Sequence, residues 1–243
     1  MRLFVLGSGS SGNCYLLENE TECLIVEAGV PYSEVKKAID FQTRKIVGVI
    51  AGHRHGDHAE YIKDYAKTGI RTLATADFWH EHAWEWWFQN GERYDDTRGF
   101  FEIGNFNIKA FPLTHSVPCY GFYITHPDMG ILVYASDTEY IKHTFKGVNH
   151  FLVEANYSTE LVERDSAKYE HQITGHMNIE TTCRFLKKNN NSNLKTVTLC
   201  HLSADCGNAG DFKARAKEVV DCPVYVAKKG LEISLDLMPD WMK

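Results

Sequence analysis

The run GHRHGDH at residues 52–58 places three histidines and one aspartate within six residues. It follows the apolar stretch IVGVI at residues 46–50, which is typical of a short buried strand. Imidazole nitrogens and carboxylate oxygens are the ligands that zinc and manganese take in proteins. A solvated histidine-rich turn is the alternative, but its position directly after an apolar strand argues against it. The run therefore predicts a metal site.

The spacing within this run indicates two adjacent ions. On an extended chain, side chains two residues apart project to the same side, so His53 and His55 are predicted to face one ion. Asp57 and His58 follow where the chain turns into a helix, and they are predicted to face a second ion nearby. We therefore expect two divalent ions, zinc or manganese.

A two-metal site needs further ligands from elsewhere in the chain. His115, Asp137 and His201 each follow an apolar strand-like run. Polar residues at strand ends are where an open α/β site collects its ligands. Each of these residues taken alone is more often a surface residue, but together with the first motif they favour a shared metal centre.

Hydrophobic patterning predicts an α/β (α+β) fold. Strand-like runs at 3–6, 14–17 and 23–26 precede helical patterns, and further strands are predicted at 106–111, 120–124, 131–134, 151–153, 196–199 and 223–226. Two late helices are predicted to start near Asn178 and near Asp211. This order fits two sheets packed together with helices outside. With no linker apparent, residues 1–243 are predicted to form a single domain.

Bulk composition favours a globular, cytoplasmic protein. The chain has 243 residues, 44% of them hydrophobic, and no apolar run of the roughly 18 residues that would cross a bilayer. Its start lacks the features of a signal peptide, so we expect no membrane association. Seven cysteines without a CxxC pair indicate reduced thiols. The net charge of −6 excludes a broadly basic nucleic-acid surface, so any phosphate binding must be local.

These residues resemble the metallo-β-lactamase superfamily and, more narrowly, its YycJ/WalJ-like branch. The HxHxDH motif carries the likeness to the superfamily, and the branch likeness extends from residue 8 to residue 203. The matching pieces are Ser8–Asn13, His53–His58, His115 with Pro118 and Gly121-Phe122, Ser136-Asp137-Thr138, Glu154-Ala155-Asn156, Gly175-His176, and His201-Leu202-Ser203.

The resemblance implies a four-layered αββα sandwich with two metal ions at one edge. By position in the family motifs, it implies one ion held by His53, His55 and His115 and another held by Asp57, His58 and His201, with Asp137 bridging them. Three departures from the branch pattern stand out: Glu27 in place of an aspartate, Gly52 in place of a threonine or serine, and Cys206-Gly207 before Asn208. None of them removes a metal ligand.

The expected reaction is attack on phosphorus or a carbonyl carbon by a hydroxide that bridges the two ions. Asp57 is predicted to orient that hydroxide. His176 precedes a helix and is predicted to bind a phosphate oxygen or to protonate the leaving group. Glu154 is predicted to orient His176 or a ligand histidine, and Asn156 and Ser203 are weaker candidates for substrate contacts. The alternative for His176 is purely local hydrogen bonding at the helix start, and the alternative for Glu154 is a structural hydrogen bond.

Three functions compete. The first, implied by the resemblance, is a phosphodiesterase that acts on nucleic acid, as a DNA exonuclease. The second is a small-molecule hydrolase acting on a cyclic nucleotide, a lactone or a thioester. The third is a non-catalytic binding protein, against which the complete ligand set argues. We favour phosphodiester hydrolysis of nucleic acid or a nucleotide. The sequence leaves the oligomeric state open, and a homodimer is one alternative.

Overall fold

Two mixed β-sheets form the centre of the molecule. The computed structural model describes residues 1–81, 91–93, 100–162 and 174–237. Within these residues the first sheet has seven strands, and β1 to β3 form an antiparallel meander, whereas β3 to β6 are parallel. In spatial order the strands are β14 (Glu232–Ser234), β1 (Arg2–Gly7), β2 (Cys14–Glu18), β3 (Cys23–Val26), β4 (Ile46–Ile50), β5 (Thr72–Ala74) and β6 (Gly91–Arg93).

The second sheet also combines parallel and antiparallel strand pairs. Its parallel half contains β10 to β13, and its antiparallel half contains β7 to β10. In spatial order its strands are β13 (Val224–Val226), β12 (Thr196–Cys200), β11 (His150–Glu154), β10 (Gly130–Ala135), β9 (Tyr120–His126), β8 (Phe106–Pro112) and β7 (Phe101–Ile103).

The helices flank the sheets, and their starts differ in part from the prediction. The helix expected at Asp57-His58 is two short helices, and the last helix is capped by Asn208, with Asp211 in its first turn. The predicted helix start near Asn178 is confirmed, and Asn178 caps that helix by accepting a hydrogen bond from Thr181 N at 2.7 Å. The helices are α1 (Tyr32–Ala38), a 3₁₀ turn (Thr43–Lys45), α2 (Gly56–Ala59), α3 (Ile62–Lys67), α4 (Ala76–Glu81), α5 (Ile179–Asn189) and α6 (Ala209–Lys217).

Within the described residues, three apolar cores define four layers. One core lies between the sheets and joins residues such as Tyr15 and Phe122. A second packs the outer face of the first sheet against α1 to α4, with the fully buried Trp79 among its members. The third packs the second sheet against α5 and α6 through Leu186 and Phe212. The structure is therefore the predicted αββα sandwich.

Strand direction brings many strand ends to one edge of each sheet. β1, β3 and β4 run parallel to one another in the first sheet, as do β8, β10, β11 and β12 in the second. The edges meet where Tyr120 N donates to Gly52 O at 2.9 Å. Polar residues that follow these strands can therefore share one site. In the described part of the chain, no helix has the length and apolarity that crossing a membrane requires.

Gly29 allows two loops to meet at this edge. A Cβ at this position would stand 1.8 Å from Asp57 O and 2.7 Å from Asn13 N, and both are backbone atoms that cannot swing aside. We expect Gly29→Ala to lower the free energy of unfolding by about 3 kcal/mol, because the added methyl overpacks the loops. Urea denaturation of the purified protein measures this change.

Gly210→Ala is the matched control. Gly210 lies in α6, where a Cβ would meet its nearest neighbour, Asn208 Oδ1, at an ordinary 3.5 Å. This substitution should leave stability unchanged or raise it by up to about 1 kcal/mol. Equal effects of the two substitutions would contradict the argument from backbone contact.

Candidate metal centre

The predicted ligands come from five segments that converge at the shared edge. The loop after β4 carries His53 and His55, and α2 carries Asp57 and His58. The remaining three ligands follow strands of the second sheet, and they are His115 after β8, Asp137 after β10 and His201 after β12. All seven residues predicted as metal ligands therefore meet in one place.

The first donor group contains three imidazoles. His55 Nδ1 lies 3.1 Å from His53 Nε2 and 3.2 Å from His115 Nε2. The carboxylate of Asp137 completes the group, with Oδ2 at 3.7 Å from His53 Nε2 and 3.9 Å from His115 Nε2. One ligand atom from each of the four residues lies within 4.8 Å of all the others.

The second donor group shares Asp137 with the first. Asp57 Oδ2 lies 3.2 Å from both His58 Nε2 and His201 Nε2. Asp137 Oδ1 lies 3.1 Å from His58 Nε2 and 3.4 Å from His201 Nδ1. The two oxygens of Asp137 therefore face different donor groups, as the predicted bridging role requires.

These donors fit divalent ions. Two imidazole nitrogens that bind one tetrahedral zinc ion stand about 3.3 Å apart, which is close to the spacing of the three histidines in the first group. The nitrogens and oxygens are those that zinc and manganese prefer. In addition, Asp137 and His201 have left-handed backbone φ angles of 54° and 53°, which are uncommon for residues other than glycine and recur at functional sites.

In four of the histidines predicted as metal ligands, the ring nitrogen Nδ1 has a polar neighbour. His115 Nδ1 donates to Gly175 O at 3.1 Å, and His201 Nδ1 donates to Glu154 Oε1 at 3.0 Å. His58 Nδ1 lies 3.4 Å from Glu27 Oε2, and His53 Nδ1 lies 3.7 Å from Cys119 Sγ. The contacts of His115, His201 and His53 are hydrogen bonds, and they select the tautomer in which the opposite nitrogen faces the site.

Glu154 joins two histidines. Its Oε1 accepts from His176 Nδ1 at 2.8 Å and from His201 Nδ1 at 3.0 Å, while its Oε2 accepts from the backbone N–H groups of Thr138 and Met177, each at 3.1 Å. Glu154 is fully buried. The two imidazole rings stack with their centroids 5.3 Å apart. The structure thus brings the predicted orienting carboxylate into contact with both candidate partners.

Asn156 and Ser203 lie beside His201. The side-chain amide of Asn156 donates to His201 O at 2.8 Å, and its backbone carbonyl accepts from Ser203 N at 2.8 Å. Ser203 Oγ accepts from Cys206 N at 3.2 Å. These bonds order the loop after β12, and the proposed substrate contacts of the two residues stay a prediction.

The glycine-rich loop after β1 contributes polar groups that the sequence had not singled out as functional. Asn13 is fully buried, and its Nδ2 lies 3.2 Å from Asp57 Oδ2 and 3.0 Å from His58 Nε2. Ser8 Oγ accepts from His201 N at 3.0 Å. The only signal for these contacts was the Ser8–Asn13 motif itself, since sequence spacing does not show that residues 8–13 reach residues 57 and 201.

Two of the departures from the branch pattern are structurally linked. Both carboxylate oxygens of Glu27 accept from Gly52 N at 3.2 Å. A Cβ at Gly52 would stand 3.1 Å from Glu27 Oε1 and 2.7 Å from Tyr120 O. Glycine at position 52 therefore leaves room first for the Tyr120 carbonyl and, less tightly, for the Glu27 carboxylate, and both changes leave the donor groups intact.

The five histidines predicted as metal ligands fall into two classes according to the direction in which their pKa values shift. Burial lowers the pKa of His53, His55 and His115, so these imidazoles are neutral. Burial opposes charge on His201 as well, but the carboxylates of Asp137, Asp57 and Glu154 outweigh it and raise its pKa to about 10. Asp137 and Glu27 likewise raise the pKa of His58 well above its ordinary value despite burial.

The pKa values of the carboxylates in the second donor group are lowered. Burial would raise the pKa of Asp57, but hydrogen bonds from His201 and His58 lower it far below its usual range. Asp137 is buried too, and the charges of His201 and His58 lower its pKa strongly. The second donor group is therefore a network of anionic carboxylates and cationic histidines when no metal is present, and metal binding there must displace protons.

The fold and this donor set define the class of protein. Residues 7–159 match the metallo-β-lactamase superfamily, and the chain belongs to that superfamily as a hydrolase. The exodeoxyribonuclease WalJ of Streptococcus pneumoniae is 26% identical over 220 residues, which cover 83% of this chain and 81% of the relative. The exodeoxyribonuclease YycJ of Bacillus anthracis is 25% identical over 224 residues, covering 83% and 82% of the two chains.

Solved structures share the fold. The metallo-β-lactamase fold protein YhfI from Bacillus subtilis superposes with a TM-score of 0.75 at 21% identity, covering 96% of this chain and 99% of its own. The fold expectation and the superfamily resemblance are therefore confirmed.

The raised pKa of His201 gives the metal-free protein a distinctive dependence of stability on pH. A histidine whose pKa is higher in the folded state stabilises the fold fully below its unfolded pKa of 6.5 and loses that contribution as pH rises towards about 10. We expect the free energy of unfolding of the metal-free protein to fall by a few kcal/mol between pH 6.5 and pH 10. Urea denaturation in the presence of a chelator measures this profile.

His201→Gln removes one titrating group and should make the decline of stability with pH less steep, while His58 and His176, whose pKa values are also raised, keep part of that decline. The lowered pKa values of His53, His55 and His115 act only below pH 6.5, so they do not mask the effect. Parallel profiles for wild type and His201→Gln would show that the His201 charge does not stabilise the fold.

Proposed function

We propose that this hydrolase is a two-metal phosphodiesterase that removes nucleotides from the ends of DNA. One observation carries the proposal: a complete set of seven donor residues lies in a chain that aligns with two exodeoxyribonucleases over more than four-fifths of its length. The donor groups support a dinuclear site, and the relatives support the choice of substrate.

The residues divide between the two ions as the donor groups suggest. His53, His55 and His115 would hold one ion, Asp57, His58 and His201 would hold the other, and Asp137 would bridge them. When bound, two divalent ions supply Lewis acidity and lower the pKa of water towards neutrality. Zinc and manganese both suit this mixture of nitrogen and oxygen ligands.

Asp57 would orient the nucleophilic water. Its Oδ2 receives polar contacts from Asn13 Nδ2, His58 Nε2 and His201 Nε2, each at 3.2 Å, so the carboxylate is held in one orientation. Its strongly lowered pKa keeps it anionic at every physiological pH. An anionic, oriented carboxylate can accept a hydrogen bond from water and direct the oxygen lone pair at phosphorus.

His176 would donate a proton to the leaving oxygen. Burial opposes its charge, but the carboxylate of Glu154 raises its pKa above the ordinary value, which favours the protonated imidazole. Glu154 binds Nδ1 of this ring, which leaves Nε2 as the atom that would deliver the proton. The ring stacks on His201 and lies near His115, with ring centroids 5.9 Å apart in the second case, so it borders both donor groups.

The mildly acidic chain would contact DNA locally rather than through a broad basic face. Arg54 lies between two predicted ligands, is 40% exposed at its side chain, and forms an ion pair with Asp77 at 3.0 Å. A guanidinium held in this way at the edge of the metal centre is suited to a nearby phosphate. A substrate that presents several phosphates would benefit most from such a contact.

A substrate panel tests the proposed activity. With manganese or zinc present, we expect the wild-type protein to release nucleotides from labelled DNA ends, assayed on duplex DNA, single-stranded DNA, RNA, cyclic nucleotides and a lactone. Asp57→Ala and His55→Ala should each reduce the rate by about a hundredfold or more, because both lose a metal ligand and Asp57→Ala also loses the oriented carboxylate.

Other results of the panel separate the alternatives. Cleavage of cyclic nucleotides or of the lactone alone would replace the nuclease by a small-molecule hydrolase and leave the metal centre in place. If the wild-type protein took up no divalent ion in a direct metal analysis, the hydrolytic site itself would be disproved.

Glu154→Gln tests the proton-donor role of His176. The amide keeps the size of the side chain but removes the charge that raises the pKa of His176, so the imidazole should lose its proton at lower pH. We expect the alkaline limb of the pH profile of kcat to shift to lower pH, with a loss of roughly tenfold or more at pH 8. His176→Gln is the companion variant and should abolish that limb.

Glu154 also contacts His201, so metal content must be measured alongside the rate. A variant that keeps two bound ions and shows the shifted limb supports the proton-donor role. An unshifted profile with two bound ions would instead assign Glu154 to structure alone.

A further inference from the structure

Cys119 lies directly behind the first donor group. It precedes β9 and is only 4% exposed. Its Sγ lies 3.7 Å from His53 Nδ1, 3.7 Å from Asp137 O and 3.9 Å from Ser136 O. All seven cysteines of the chain lie within the described residues and are free thiols, and this one touches two predicted metal ligands.

The backbone of Cys119 ties down a third ligand. Its carbonyl accepts from Leu113 N at 2.9 Å, which closes the loop that carries His115. The next residue, Tyr120, donates its N–H to Gly52 O at 2.9 Å, beside His53. Cys119 is therefore the point at which the segments bearing His53, His115 and Asp137 are joined.

The tautomer of His53 gives the Cys119 thiol a specific role. His53 presents Nε2 to the first donor group, where it lies 3.1 Å from His55 Nδ1. A neutral imidazole that binds metal through Nε2 carries its proton on Nδ1, and that proton needs an acceptor. Cys119 Sγ stands at this position, while its own S–H can donate to the carbonyl oxygens of Ser136 and Asp137.

We propose that Cys119 is a positioning residue for one metal ion, accepting the Nδ1 proton of His53 and linking that imidazole to the backbone of Asp137. The inference rests on the proposed metal centre and deepens it. His58 and His201 have carboxylates at the corresponding place and His115 has a carbonyl, whereas His53 has a sulfur. Thiol sulfur is a weak acceptor, so the orientation of His53 depends on close packing as well as on this bond.

Metal affinity tests the proposal without any assay of catalysis. Metal-free wild type, Cys119→Ala and Cys119→Ser are titrated with zinc against a chromophoric chelator, and the absorption of the cobalt-loaded proteins is recorded. We expect Cys119→Ala to weaken one of the two sites by roughly 10–100-fold and to alter the cobalt spectrum, because His53 loses its partner. Cys119→Ser retains an acceptor and a donor and should stay within about threefold of wild type.

Cys23→Ala is the matched control. Cys23 is a fully buried free thiol at the opposite end of β3, so its removal tests the general effect of losing buried sulfur. This variant should bind zinc as wild type does. If Cys119→Ala fails to fold, Cys119→Val fills the space without an acceptor and should show the same loss at one site.

The outcomes separate this inference from the proposed function. Wild type that binds two ions, together with Cys119→Ala of unchanged affinity, would overturn the role of Cys119 and leave the hydrolase standing. An equal loss in Cys23→Ala would also overturn it. Wild type that binds no zinc would overturn both the metal centre and this inference.

Discussion

The carboxylate of Asp137 is the point on which the site depends. It is 2% exposed, and its two oxygens lie 3.1 Å to 3.9 Å from nitrogens of His58, His201, His53 and His115. A buried carboxylate is stable only if charge or hydrogen bonds compensate for the loss of water. Imidazoles from both sheets provide that compensation here, and divalent ions would provide it when bound. One side chain therefore couples the assembly of the site to the packing of the two sheets.

The imidazoles around Asp137 are hydrogen-bonded to groups that differ in strength as acceptors. Glu154 orients two histidines through one oxygen, Gly175 offers a backbone carbonyl, and Cys119 offers a thiol. A carboxylate partner raises the basicity of an imidazole more than a carbonyl or a sulfur does. Burial keeps the imidazoles of the first donor group neutral and prepared for metal, whereas nearby carboxylates keep His201 protonated, so the second group must release protons. Metal binding to the two donor groups would thus depend differently on pH.

The short strands show where prediction from sequence failed and why. The pattern of apolar runs indicated ten of the described strands, with bounds that differ from those of the structure by at most two residues. It missed β5, β6, β7 and β14, which have three residues each. Three residues carry too little alternation or apolar length to be distinguished from loops. They form strands because neighbouring strands already present paired backbone groups, as β1 does for β14.

The sequence by itself predicted a metal site and its ligand types, because HxHxDH after a buried strand, with polar residues at three further strand ends, is a local pattern that few structures other than a metal site explain. It also determined the layered architecture, since alternating apolar runs and amphipathic helices can bury their faces in few ways. Only the tertiary structure decided which other groups contact those ligands. Asn13, Ser8 and Cys119 reach the site through loops whose mutual approach depends on backbone contacts at Gly29 and Gly52. Such approaches join residues far apart in the chain, and no periodicity or spacing encodes them.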